Sequence, residues 1–188
     1  MKGNDISILW RSFLAGDKEA FAYFYNLHVN ALYSYGVKLC TDDDIVKDAI
    51  QEVFLDLFMK RNKNKSEPKN LRFYLILALK RNIIKKLQRN RKHISVEEYE
   101  LNFEPEYSIE SMIIQTEKEL QLNRQVSEML EHLPPRQKEV LYLRYNLSME
   151  YEEISQLMEI SVESARKQVY RALKAIREKY GNRGMERK

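Results

Sequence analysis

The chain has 188 residues, 44% of them apolar and 32% charged, with a net charge of +4 and a pI of about 9.0. That length allows one medium domain or two small ones, and five Gly and four Pro are too few for the many turns of a β-rich fold. The single cysteine, Cys40, excludes an internal disulfide, and no stretch approaches the roughly 20 apolar residues of a membrane span.

In chain order, Ile6, Leu9, Trp10 and Phe13 keep helical spacing. Gly16 then reads as the residue past a helix end, and Asp17 as the next N-cap. The opening "MKGNDISILW" meets Asp5 before any apolar run, which argues against a secretory leader. Phe21, Phe24, Tyr25, His28, Leu32 and Tyr35 mark a second amphipathic helix. In "CTDDD", Asp42–Asp44 reads as a loop cap rather than a metal site. A third helix is expected from about Ile45 to Arg61, with Val46, Ala49, Ile50, Val53 and Leu57 inward. "NKNKSEPKN" reads as a polar loop, and a long helix follows from about Leu71 to Lys92.

From about His93 to Tyr107 the pattern lapses into acidic residues, an extended linker. Helices resume near Ser108 and pause at "HLPPRQ", where Pro135 suits a first helical position. Two more are expected at about Glu150–Met158 and Val162–Lys179. Alternation of period two is absent, so the expected fold is all-α. Two small helical domains, 1–93 and 108–180, are joined by an acidic linker at 94–107 and followed by a flexible tail at 181–188.

The charge is blocked. Lys60–His93 has 13 bases against 1 acid, net +12; Ser95–Leu120 has 1 base against 8 acids, net −7; Ser161–Lys188 has 9 and 3, net +6. Such blocks point to polyanion contacts at two separate places. On the long helix Ile76, Leu79, Ile83 and Leu87 share one side, while Arg81, Lys85, Arg89 and Lys92 fall within an arc of about 80° opposite. That arc holds no acid, so pairing along the helix cannot offset its repulsion. Near the C-terminus, "YEEISQLMEIS" offers Ile154, Leu157 and Met158, a short turn, and Ser161 as N-cap. Val162, Ala165, Val169, Leu173 and Ile176 then form an expected buried stripe, with Ser164, Lys167, Arg171 and Lys174 facing away and Arg166 and Gln168 flanking. Two helices joined this way, the second basic outside, describe a helix-turn-helix. Arg and Lys there can pair with guanine and Gln with adenine. The plainer readings are a solvated charged face for the first helix and an α-hairpin for the second pair.

"DAIQEVFLDLF", "YLILALKRN", "LPPRQKEVLYLRY" and "EEISQLMEISVESARKQVYRALKAIRE" together resemble bacterial RNA polymerase sigma factors of the sigma-70 family, the extracytoplasmic-function subfamily above all. The resemblance spans about Phe21–Lys179. It implies that Asp48, Gln51, Glu52 and Asp56 face core polymerase at the clamp coiled coil of β′. It implies minus-ten DNA contacts from Asn64, Lys65, Asn70, Arg72, Lys80, Arg81, Asn82, Lys85 and Arg89. Minus-thirty-five contacts are implied for Ser161, Ser164, Arg166, Lys167, Gln168, Arg171 and Lys174. The β flap of the polymerase, promoter DNA and an anti-sigma factor are the further partners implied, in the cytoplasm. Two departures stand out. Glu159 occupies the helix-helix turn where the family commonly has Gly, at a cost of about 1 kcal/mol if φ is positive there. Glu150 replaces a Ser or Thr cap, so the first helix of the pair is expected to begin near Ser148.

No Gly-rich phosphate loop, cysteine pair or His-x-x-x-His motif occurs, so no enzyme activity, cofactor or metal is expected. Opening DNA would then draw on binding energy, with Phe73 and Tyr74 either stacking on bases or lying in the core. The acidic linker either threads the polymerase's cationic nucleic-acid channel or is a solvated tether. The rival function is a helix-turn-helix regulator that does not bind core polymerase. It leaves the basic Lys60–His93 block unexplained.

Overall fold

The computed structural model describes residues 3–62, 68, 70–90, 103 and 126–180. The chain divides into two compact units, Met1–Val96 and Glu97–Lys188, and among the described residues both are helical without a strand.

In the first unit α1 spans Gly3–Leu14, α2 Lys18–Leu39, α3 Asp43–Met59 and α4 Leu71–Asn90. Gly16 turns the chain out of α1 at φ 93, a left-handed conformation that costs glycine nothing sterically. Asp17 then caps α2, accepting from the peptide nitrogens of Glu19 at 2.8 Å and Ala20 at 3.3 Å. Asp42 caps α3 in the same way, so that helix starts two residues before the expected Ile45. It stops at Met59, short of Arg61, whose guanidinium folds back 4.2 Å over the Phe58 ring and donates to the Phe58 carbonyl.

The core is aromatic at one end. Trp10, Phe13, Phe21, Phe24, Phe54 and Phe58 stack or meet edge to face at centroid distances of 5.1 to 6.4 Å. It is aliphatic at the other, where Val46, Ala49, Ile50, Val53 and Leu57 of α3 meet Leu75, Ile76, Leu79 and Ile83 of α4. Each large side chain buried there contributes about 1.5–3 kcal/mol. The three longest helices of the unit converge on Gly36, where an added Cβ would lie 2.6 Å from Val46 and within 3.6 Å of Ile83 and Leu79.

The second unit is helical over 126–131, then forms α5 (Pro135–Leu141), a π-helical turn (Tyr142–Asn146), α6 (Tyr151–Leu157) and α7 (Val162–Tyr180). Pro135 sits at the first helical position, where its missing N–H costs nothing. The expectation that α6 begins near Ser148 is overturned. Its N-cap is Glu150, whose peptide N–H donates to the Glu153 carboxylate at 3.0 Å, whereas Ser148 takes a left-handed φ of 53. Glu159 does adopt positive φ, 54, in the turn between α6 and α7. Ser161 caps α7 through the Ser164 peptide nitrogen at 3.1 Å.

Leu173 needs a correction: it is 41% exposed, and Ala165, Val169 and Ala172 form the buried stripe instead. A second concerns the linker, where Phe103 is fully buried with its ring 5.8 Å from Tyr142. That residue is part of the C-terminal core. The rest of the expected linker, the helix start near Ser108, the tail at 181–188, and Asn64 and Lys65 lie outside the described residues.

Candidate nucleic-acid interface

Among the described residues, α4 and α7 each present an arc of several cations to solvent. On α4, Arg81, Lys85 and Arg89 are exposed, as the helical period requires of residues opposite Ile76, Leu79 and Ile83. Tyr74 falls on the same arc and is 38% exposed, which favours the stacking alternative over the core. Phe73 is half-buried.

Three other residues singled out for DNA contact are less open to solvent. Lys80 is only 5% exposed, because at 100° per residue it lies about 20° from Leu87 on the flank of the apolar stripe. Arg72 is half-buried and sits in line with that stripe; burial, and then the nearby Arg72 charge, lower the pKa of His28. Asn70 accepts from the Phe73 peptide nitrogen at 3.1 Å and so caps α4.

The exposed side of α3 carries Asp48, Gln51, Glu52 and Asp56 together with Leu55 and Met59, 60% and 66% exposed. These two exposed apolar side chains stand within a rim of carboxylates. Asp56 pairs with Lys60 one turn on. The two faces meet at Glu52: Lys86 of α4 bonds it at 2.7 Å and approaches Asp48 at 3.9 Å. The Lys86 ammonium and then the Asn82 amide hold the Glu52 carboxyl below the usual carboxylate range. An open groove between α3 and α4 is lined by Glu52, Leu55 and Asp56 from one helix and Tyr74, Arg81 and Lys85 from the other.

On α7, Ser161, Arg166, Lys167, Arg171 and Lys174 are exposed, and Ser164 and Gln168 half-buried. Lys167 pairs with Glu163 at 2.6 Å and Lys174 with Glu178 at 3.6 Å, both along the helix. The Ser161 hydroxyl lies 2.8 Å from the Ser164 hydroxyl, which ties both to the cap. Tyr170 is 66% exposed on the Arg166 side of this arc, and charge alone does not pick it out. The helical period does, since 170 falls between Arg166 and Lys174. At the start of α6, the Arg144 and Arg166 guanidiniums lie 4.8 and 5.4 Å from the centre of the Tyr151 ring.

Among the described residues no cluster of His, Cys, Asp or Glu could hold a metal ion, and no helix is long and apolar enough to cross a membrane.

No curated protein matches the chain. Among solved structures, CnrH in complex with the cytosolic domain of CnrY has the same fold, with a TM-score of 0.56 at 18% identity over 93% of this chain and 96% of that one. The sigma factor RpoE in complex with the anti-sigma factor NepR from Bartonella quintana gives 0.55 at 19% identity, covering 84% and 94%. The family model for sigma-70 region 2 matches residues 24–93, and that for sigma-70 region 4 matches 123–176. With both regions in order over more than half its length, the chain belongs to the sigma-70 family.

Proposed function

We propose that this is a sigma factor of the extracytoplasmic-function type, which brings core RNA polymerase to promoters. One observation carries the reading: a single chain holds region 2 and region 4 in order, each with an exposed cationic helix face. A regulator built on the C-terminal helix-turn-helix alone leaves the cationic face of α4 unexplained.

The exposed face of α3, with Asp48, Gln51, Glu52 and Asp56 around Leu55 and Met59, is the polymerase-binding surface. Arg81, Lys85 and Arg89 take the phosphates of the minus-ten element, each neutralised phosphate steepening the salt dependence by about 0.7–0.9 in log–log slope. Extruding a base costs a few kcal/mol, and stacking on an aromatic such as exposed Tyr74 returns about 1–3 kcal/mol per base. Binding alone can therefore open DNA. On α7, Arg166, Lys167, Arg171 and Tyr170 lie against the minus-thirty-five major groove. An anti-sigma factor is the natural silencer, in keeping with the RpoE complex. The protein acts in the cytoplasm, where polymerase and promoter are.

In vitro transcription with core polymerase on genomic fragments tests the whole reading. Discrete new start sites are expected, and none should survive Arg81→Glu. A chain that binds DNA but never recruits core polymerase would return the reading to a simple regulator.

A further inference from the structure

The ring of Tyr151 lies where three parts of the helix-turn-helix meet: the middle of the π-helical turn, the start of α6 and the second turn of α7. Both neighbouring guanidiniums are within the roughly 6 Å over which a ring quadrupole attracts a cation. The two arginines differ in how they are held. Arg144 donates to the Met149 carbonyl at 2.7 Å and the Glu150 carboxylate at 3.0 Å, with 29% of its side chain exposed. It is fixed by the protein's own groups. Arg166 is exposed and has no ion pair among the described residues, whereas Lys167 and Lys174 on the same helix are each tied to a glutamate.

The position of Arg166 matters as much as its charge. At 100° per residue it lies about 80° from Lys174, on the edge of the outward arc nearest α6. Left alone, so flexible a side chain spreads over many rotamers, and a guanidinium must be aligned with a guanine edge to make its two bonds. The Tyr151 ring supplies the missing constraint, and anchored Arg144 keeps the ring in place.

Resting on the reading of α7 as the minus-thirty-five reader, we propose that Tyr151 is a positioning residue for sequence readout. Its ring presents the Arg166 guanidinium to one base pair, and Arg144 orients the ring. Tyr151 itself reads no base. Its removal degrades discrimination at the Arg166 base pair and leaves general affinity for DNA intact, because every positive charge is still present.

The test uses the full chain assembled with core polymerase and a pool of duplexes randomised across the upstream promoter element, scored base pair by base pair. Arg166→Ala identifies the pair that Arg166 reads. Tyr151→Leu is expected to lower preference at that same pair about two- to fivefold, the range set by an exposed cation–π contact. Tyr151→Phe, which keeps a ring face, should stay within about twofold of wild type and also controls for folding. The double variant should discriminate no worse than Arg166→Ala alone, and the two Tyr151 single variants, which keep every charge, should leave the log–log salt slope on unselected duplex unchanged. The proposal is overturned if Tyr151→Leu spares the preference at that pair, or if Tyr151→Phe loses it as fully as the leucine variant. It is also overturned if the loss is uniform across sequences with a shallower salt slope, which would make Tyr151 a phosphate contact. If Arg166→Ala alters no preference, the positioning role falls while promoter selection stands. A wild-type chain with no preference anywhere would instead defeat the functional reading, and this proposal with it.

Discussion

His28 shows how a single side chain can set a condition on the fold. It is 8% exposed on α2, and its Nδ1 has no hydrogen-bond partner. Burial, and then the Arg72 guanidinium, hold its pKa below the usual 6.5. The unfolded chain therefore takes up that proton more readily than the folded one. Stability from this group is complete above about pH 6.5 and is lost as the pH falls from there toward the lowered folded value. Thermal melts at pH 7 and pH 5.5 should show a drop in Tm for the wild type and a smaller drop for His28→Leu. An equal drop in the variant would put the acid sensitivity elsewhere. At this scale the sequence was legible wherever helical angle decides burial, as with exposed Arg81 and Lys167 and the inward side of α3. Charge alone does not tell how far a side chain is covered. Lys80 and Arg72 carry the right charge for DNA, but their positions along α4 turn their stems toward the apolar stripe, where long side chains can lie with their methylenes covered.

Among the helices, two positions test the packing and the turn. An alanine at Gly36 gains about 1 kcal/mol of helix propensity, yet its methyl would press on the Val46 side chain at 2.6 Å. Crowding in a packed core costs about 1–3 kcal/mol, so Gly36→Ala should lower the stability of the first unit on balance. A higher denaturation midpoint would mean that α2 and α3 can ease apart freely. At Glu159, φ 54 strains any residue with a Cβ, so Glu159→Gly should raise stability by about 0.5–1 kcal/mol in chemical denaturation. Helix identities and most starts were readable because Asp17, Asp42 and Ser161 are caps with a mechanism. The start of α6 was not, because a glutamate does the capping and the nearby serine turns the corner instead. Nor could the sequence reveal the Lys86–Glu52 bridge between α4 and α3, whose partners are 34 residues apart. An exposed pair of this kind contributes at most about 1 kcal/mol, so its interest is that it joins the two surfaces assigned to polymerase and to DNA.

For the molecule as a whole, the division into Met1–Val96 and Glu97–Lys188 makes each unit a candidate for independent folding. Phe103 decides where the second must begin. A chain starting at residue 97 keeps this side chain against Tyr142, whereas one starting at 108 discards it. Losing a buried phenylalanine costs about 3–5 kcal/mol, so the shorter fragment should melt markedly lower or fail to fold, and Phe103→Ala in the longer one should reproduce the loss. Equal melting of the two fragments would show that Phe103 is a bystander. Blocks of charge marked two modules from the sequence, but one aromatic among glutamates is too little signal to reveal that the stretch joining them contributes to a core.

The turn before α7 has a consequence for how this gene can vary. Met158 and Ile160 each donate a peptide N–H to a carbonyl of α6, at 2.9 and 3.0 Å, Glu159 bends the chain, and Ser161 closes the next helix. An extra codon here has only two outlets. Either the corner unravels, or α7 starts one residue late and is turned by about 100°, which would carry Ala165 and Val169 out of the core. Composition at this bend can change at a cost of about 1 kcal/mol, but its length cannot change without unseating the core.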